Sequence, residues 1–343
     1  MINVIAPNQT SEGIATSCTP APQLLPVSAI IATLGRPNVL GVTLRTLAAQ
    51  SAQPQELLII DASIDSKTAL LCQTPIPGLA SKMRYFRAHK RGAASQRNEG
   101  VRLASQPVIG FFDDDIRFAP NCLHRLWLAL DSDTALGGVS AMISNQQYAT
   151  PGMISRMLFR ILHGRSERSY AGRCIGPALN LLPEDDDQLP DVVPVDWLNT
   201  TCTLYRREAL PTPPFPPIFR EYSLMEDVAL SLAVAQQWKL ANARTAQIIH
   251  DSQPGAHKSD ILRRARMEVV NRHYVMTKVM RRERVTDYAK FGLLMAFSIA
   301  SSMRSAAGVA QVPRQVVGIV MGLADILRGS IGRSARRRAD LAL

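Results

Sequence analysis

The chain has 343 residues, 46% apolar and 20% charged, which predicts one large folded domain with an appendage and excludes a disordered chain. The net charge of +11 is uneven, because residues 253–343 hold 17 basic and 6 acidic side chains while residues 1–252 hold 22 of each. An anionic partner such as a membrane or nucleic acid therefore belongs to the C-terminal quarter, and the neutral remainder needs another explanation.

Residues 1–25 mix Pro, Ser, Thr and Asn, with no basic stretch before an apolar run. They read as a mobile tail and not as a signal peptide. Residues 27–33 (VSAIIAT) form an apolar, β-branched run that predicts a buried strand. From Pro37 a helical pattern places Leu40, Leu44 and Leu47 at i, i+4 and i+7, and Pro54 is expected to end it. Residues 56–60 (ELLII) read as a second strand stopped by Asp61, residues 83–87 as a third, and residues 93–104 as a helix. Residues 108–112 (VIGFF) read as a fourth strand running straight into Asp113, Asp114 and Asp115. Alternating strands and helices with short connections predict βαβ units and a Rossmann-like, mostly parallel sheet flanked by helices.

The middle is less regular. An acidic run, Glu184 to Asp187, lies in a Pro-bounded loop and is expected to be solvated. Residues 195–204 predict a strand, and five prolines in residues 211–217 predict an extended loop. A helix is expected from Glu226 to about Trp238, and a last strand over 246–250. From Ser259 onward the chain reads as helical and Arg-rich. Five cysteines, widely spaced and without a CxxC pair, argue against a disulfide framework or structural zinc and fit a reducing cytosol. No apolar run reaches the roughly 18 residues of a spanning helix; residues 291–303 come nearest.

In open α/β sheets, ligands bind beyond the carboxyl ends of the strands. Asp61 and the Asp113 to Asp115 run both fall there, so one cleft should carry two acidic sites. Three adjacent carboxylates repel one another, and a hard divalent cation would neutralise them. Singly, each feature has a plain structural alternative. Asp61 can be a turn residue. Glu226 and Asp227 can simply favour the start of a helix dipole. His250 and Arg97 can be ordinary surface charges.

Taken in order, the motifs resemble family 2 inverting glycosyltransferases with the A-type nucleotide-diphospho-sugar transferase fold, over about residues 26–255. VSAIIATLGRP resembles that family's first strand with its following Thr33 and Arg36. ELLIIDASIDS resembles the strand whose Asp, here Asp61, contacts the nucleoside. KRGAASQRNEGVRLA resembles the segment whose Arg97 lies near the donor diphosphate. VIGFFDDDI resembles the DxD strand, with Asp113 and Asp115 as its ends and Asp114 between them. VDWLNTTCTLYRREA resembles the strand before the acceptor loop, putting Trp197 on the acceptor side with Glu226. MEDVALSLAVAQQW resembles the helix whose Asp is the base, here Asp227. IIH resembles the strand end whose His250 can join Asp113 and Asp115 on a metal. The resemblance implies single-sugar transfer from a nucleotide-diphosphate sugar to a glycan or lipid-linked acceptor, in cell-surface or exopolysaccharide assembly. It implies inversion, assistance by Mn2+ or Mg2+, and no nucleic-acid partner. The QxxRW motif of processive synthases is absent, Ala62 stands alone where Asn-Gly is common, and PFPPIFREYSL replaces the usual Gly-Gly-Phe turn.

Two other readings stay open at this point. A sugar-phosphate nucleotidyltransferase also needs metal-binding carboxylates at strand ends, but ATLGRPN supplies only one Gly for a phosphate loop. A non-enzymatic nucleic-acid-binding protein would suit the basic tail, which lacks interleaved aromatics. Residues 256–343 read as a basic helical region. Within it, residues 315–328 are amphipathic, with Val316, Ile319, Val320, Leu323, Ile326 and Leu327 on one face. These helices either pack on the catalytic domain or lie in the interface of an anionic membrane, which would make the protein cytoplasmic and peripheral on the membrane's cytoplasmic face.

Overall fold

The computed structural model describes residues 21–220, 224–253 and 259–340. Its first half alternates as expected: β1 (Gln23–Thr33), α1 (Pro37–Ala48), β2 (Ala52–Asp61), α2 (Lys67–Gln73), β3 (Lys82–Arg87), α3 (Ala93–Leu103) and β4 (Val108–Asp113). The middle holds β5 (Ile116–Phe118), α4 (Cys122–Asp131), β6 (Leu136–Ile143), α5 (Met153–His163), β7 (Cys174–Ile175), β8 (Leu179–Asn180), β9 (Val192–Pro194) and β10 (Cys202–Arg206). Then come α6 (Glu226–Val234) and β11 (Lys239–His250). The C-terminal part comprises α7 (Ile261–Tyr274), which continues into a π-helical turn, α8 (Val285–Ser302) and α9 (Ala306–Asp340).

The main sheet has the order β3-β2-β1-β4-β10-β6-β11-β5, with β9 also on β11. Its pairings make β1, β2, β3, β4, β6 and β11 run one way and β5, β9 and β10 the other, so it is mixed and mostly parallel. Both faces are covered. Ala29, Ile31, Leu57, Ile59 and Phe112 pack with α1 and α4, while Ile30, Leu58, Ile60 and Phe111 pack with α3 and α6. This strict alternation is the strand's period of two, and burial on both faces explains why these strands read as continuous apolar runs. Helix α3 lies so close to β1 that a Cβ at Gly100 would strike the Ile30 side chain.

Several boundaries differ from the sequence expectations. β1 begins at Gln23, taking three residues from the expected tail; residues 1–20 lie outside the described ones. α1 ends at Ala48, and Pro54 lies inside β2. The proline is tolerated because the β1–β2 register shifts between Leu25 and Ser28, where Pro26 and Pro54 leave two missing donors at one bulge. The expected strand over 195–204 shrinks to β10. Upstream of it, Val195 donates its N–H to Leu240 O, Asp196 to Gly172 O and Leu198 to Ser231 Oγ, so those donors serve other elements. α6 stops at Val234, four residues short of Trp238. Within α9, Ala306–Gly329 is long and apolar enough to cross a membrane by length and composition. The sequence reading missed it because Gly, Ala and scattered Val supply the hydropathy, without a dense apolar run.

Candidate active site

A cleft of about 530 Å³ opens at the carboxyl ends of β1 and β4, where the strand order reverses. Its walls include Ala32, Arg36, Arg97, all three of Asp113, Asp114 and Asp115, Glu226, Asp227 and His250. Most of the residues singled out from sequence therefore meet in one place.

The acidic turn is held from several sides. Thr43 on α1 donates to the carbonyls of Asp114 or Ile116, both at 2.8 Å, and the Asp113 N–H goes to Thr201 O at 2.9 Å. Thr33 donates to Asp114 Oδ2 at 2.6 Å, so it sits behind the turn and acts on the cleft through Asp114. Arg36 reaches Asp114 Oδ1 at 2.5 Å and Asp115 Oδ2 at 3.2 Å. Burial raises the Asp114 carboxyl to about 6, against the pull of Arg36 and Thr33. Burial acts the same way on Asp115, but His250, Arg36 and the Gln253 N–H outweigh it and hold that carboxyl below its usual value.

His250 reaches the turn because β5, which starts directly after it, pairs antiparallel with the end of β11, setting His250 opposite Ile116. His250 Nε2 lies 3.1 Å from Asp115 Oδ1. Asp113, Asp115 and His250 each offer a ligand atom, and these lie within 4.8 Å of one another. Two carboxylates and an imidazole suit Mn2+ or Mg2+, so the donor set fits the metal expected from sequence.

Across the cleft, Arg97 is buried and bridges Asp113 (2.7 Å) to Glu226 (3.3 Å). Glu226 and Asp227 open α6, behind Met225 in the left-handed region (φ 73°). Burial raises both carboxyls, Glu226 to about 8 and Asp227 to about 6; for Glu226, the Asp227 charge adds to burial and Arg97 opposes it. Asp227 Oδ1 accepts its neighbour Val228 N–H at 2.8 Å.

Besides Thr33, two expected residues do not face the cleft. Asp61 is fully buried, and its carboxylate accepts bonds from Ser63 and from Tyr85 (3.1 Å). It shares the strand face of Leu57 and Ile59, toward α1, and holds Ser63, whose hydroxyl accepts the Gly35 N–H at 2.7 Å. Trp197 is buried among core side chains and donates its indole N–H to Leu181 O at 2.8 Å. In the acidic run Asp186 and Asp187 are exposed, as expected, whereas Asp185 is largely covered and binds Arg244 of β11 at 3.0 Å, which pins the loop there.

The sequence reading missed Gln146, Asn180, Thr200 and Thr201 in the lining, and with them Arg264, Glu268 and Arg272 from α7. Their i, i+4, i+8 spacing places the last three on one face of a helix, a signal that was legible but had no target until α7 was seen to cover the cleft. An expected boundary at residue 255 thus runs through the cleft wall.

A sequence model of the family described as Glycosyl transferase family 2 matches residues 28–210. No curated protein matches the chain. Among solved structures, a mannosyltransferase from Pyrobaculum calidifontis, in complex with GDP-Man and Mn2+, is 15% identical. The similarity covers 88% of this chain and 86% of that one at a TM-score of 0.50. S. aureus TarS, in complex with UDP-GlcNAc, is 14% identical over 85% of this chain and 79% of its own, at 0.48. At 15% identity the likeness to the mannosyltransferase is one of fold.

Proposed function

The chain belongs to glycosyl transferase family 2 and is a glycosyltransferase, and from that premise we propose that it moves a single sugar, with inversion, from a nucleotide-diphosphate donor to an acceptor hydroxyl. What carries the reading is the meeting of Asp113, Asp115 and His250 with Arg97 and Asp227 in one cleft. A bound Mn2+ or Mg2+ would stabilise the negative charge of the departing nucleoside diphosphate. Arg97, fixed by two carboxylates, adds a preorganised positive charge beside it. Asp227 takes the acceptor's proton, and its carboxyl, raised to about 6, is ionised at neutral pH yet more basic than an ordinary Asp. Glu226 holds Arg97 and borders the acceptor side. Arg36, joined to Asp114 and Asp115, fits the donor side of the cleft.

The acceptor on this reading is a glycan or lipid-linked sugar of cell-surface or exopolysaccharide assembly, reached from the cytoplasmic side with the C-terminal helices at the membrane. The exposed apolar side chains of α9 support that placement. The family match and the cleft's own base both favour transfer to a hydroxyl over nucleotidyl transfer. A panel of nucleotide sugars, scored by thermal shift with Mn2+ and then by release of nucleoside diphosphate, tests the proposal. A protein stabilised by no nucleotide sugar, or one that forms nucleotide sugars from sugar phosphates, would overturn it.

A further inference from the structure

Four helices share one inner core, and two of them, α5 and α9, leave apolar strips outside. Leu158, Phe159 and Leu162 of α5, Phe291, Leu294 and Met295 of α8, and Ile319 of α9 are buried in one cluster with Ala265 and Val269 of α7. Outside it, α5 exposes Met153 (85%), Ile154 (70%), Met157 (66%) and Ile161 (44%). At about 100° per residue these four fall within about 100° of arc. Helix α9 packs its other side on α7: a Cβ at Gly318 would strike Leu262 O, one at Gly322 would lie 2.9 Å from Arg266 O, and Asp325 binds Arg266 at 2.6 Å. Opposite that packed side, Val309, Val316, Val320, Leu323 and Leu327 are all exposed, on a stripe about 60° wide.

The charge around these strips has one sign. Exposed Arg156 and Arg160 flank the α5 strip, and α5 has no acidic residue. Residues 288–324 contain Lys290, Arg304 and Arg314 and no Asp or Glu. Asp287 and Asp325 are turned to internal partners, the Arg284 N–H and the Arg266 guanidinium. Exposed apolar patches of this extent mark an interaction surface. A second copy of the chain would set arginines against arginines. A bilayer with anionic headgroups offers apolar depth with negative charge at its rim, and both match.

We propose that α5, a helix inside the catalytic domain, is a second membrane anchor that lies in the interface of an anionic bilayer together with α9. The inference rests on the membrane reading of the C-terminal helices and extends it to a segment that the basic tail does not include. Gln146, which lines the cleft, lies a few residues before α5, and Asn180 of β8 lines it on the far side of the same excursion. Docking through α5 holds the cleft at a fixed place near the lipid surface, where a membrane-bound acceptor is presented.

Flotation of the full chain with phosphatidylglycerol-containing vesicles tests this, with pure phosphatidylcholine vesicles alongside. The wild type binds the anionic vesicles and is released by salt. Ile154→Glu with Met157→Glu weakens partitioning by at least roughly tenfold, since two apolar side chains leave the interface. Leu70→Glu, equally exposed but on α2, leaves binding unchanged. Met157→Trp shows a blue-shifted emission, quenched by brominated lipid, only when vesicles are added. Normal vesicle binding by the double variant, with unquenched emission from Met157→Trp, overturns the role of α5 and leaves the α9 reading standing. Failure of the wild type to bind any vesicle overturns both, as does a lipid-free dimer that the double variant dissolves.

Discussion

Replacing Arg97 by Met tests how the cleft is held together. The guanidinium is buried, with its side chain 5% exposed, and the carboxylates it bridges are 11% (Glu226) and 26% (Asp113) exposed. Removing one partner of a buried ion pair costs about 3–5 kcal/mol. Near neutral pH the Glu226 carboxyl is mostly protonated, so the charge left unpaired is that of Asp113, which faces the cleft and is partly screened, and about 2 kcal/mol is the expected loss. The loss must depend on pH. Glu226 carries a folded-state carboxyl raised to about 8, above its unfolded value, so its contribution to stability is fully present below about 4.5 and is lost as pH rises through about 8. Arg97 opposes that rise. Without it, the Glu226 carboxyl climbs further, and the variant has no partner for the charge at high pH. Urea denaturation at pH 6 and pH 9 should therefore show a larger deficit at pH 9. Equal deficits at both pH values, or a deficit below about 1 kcal/mol at each, would refute the reasoning.

Asp227→Asn keeps the side chain's shape and removes the base, and turnover should fall by roughly 10²–10⁴ with unfolding unchanged within about 1 kcal/mol; a near-normal rate would assign the base elsewhere. In the wild type, kcat/KM should decline as pH drops through about 6, because Asp227 must be ionised to accept a proton; a flat profile between pH 5 and 8, where the assay reports chemistry, would contradict that. Asp115→Ala should abolish Mn2+ binding, read by the paramagnetic signal of the free ion, and EDTA should abolish wild-type transfer; full activity in chelator would exclude the metal.

The first half of the fold was legible because its strands are buried on both faces and its helices carry a clean apolar stripe. The VIGFF run placed the three aspartates at a strand end, and the family resemblance pointed to Arg97 and Asp227, which line the same cleft. The middle was less legible for physical reasons. β5 is three residues long and disappears beside the aspartates, yet it brings His250 to Asp115. Helix α5 is clearly amphipathic, with Arg156, Arg160 and His163 on one side and Met153, Ile154, Met157, Leu158, Ile161 and Leu162 on the other, so its period was legible although no helix was expected there. Asp61 and Trp197 had the right motif context but point into the core, and nothing in a one-dimensional pattern records on which side of a strand end the ligand lies.

Helix α7 faces two ways. One side gives Arg264, Glu268 and Arg272 to the cleft, and the other receives Gly318 and Gly322 of α9. The cleft wall and the seat of the proposed anchor α9 therefore share the same four turns of backbone. Modular exchange between relatives, with a catalytic half joined to a foreign C-terminal half at residue 255, would transplant one wall of the cleft along with α9. Substitutions on the α9 side of α7 would be felt in the cleft without touching it. Recognition and location in this enzyme would then have to change together, as one inherited trait.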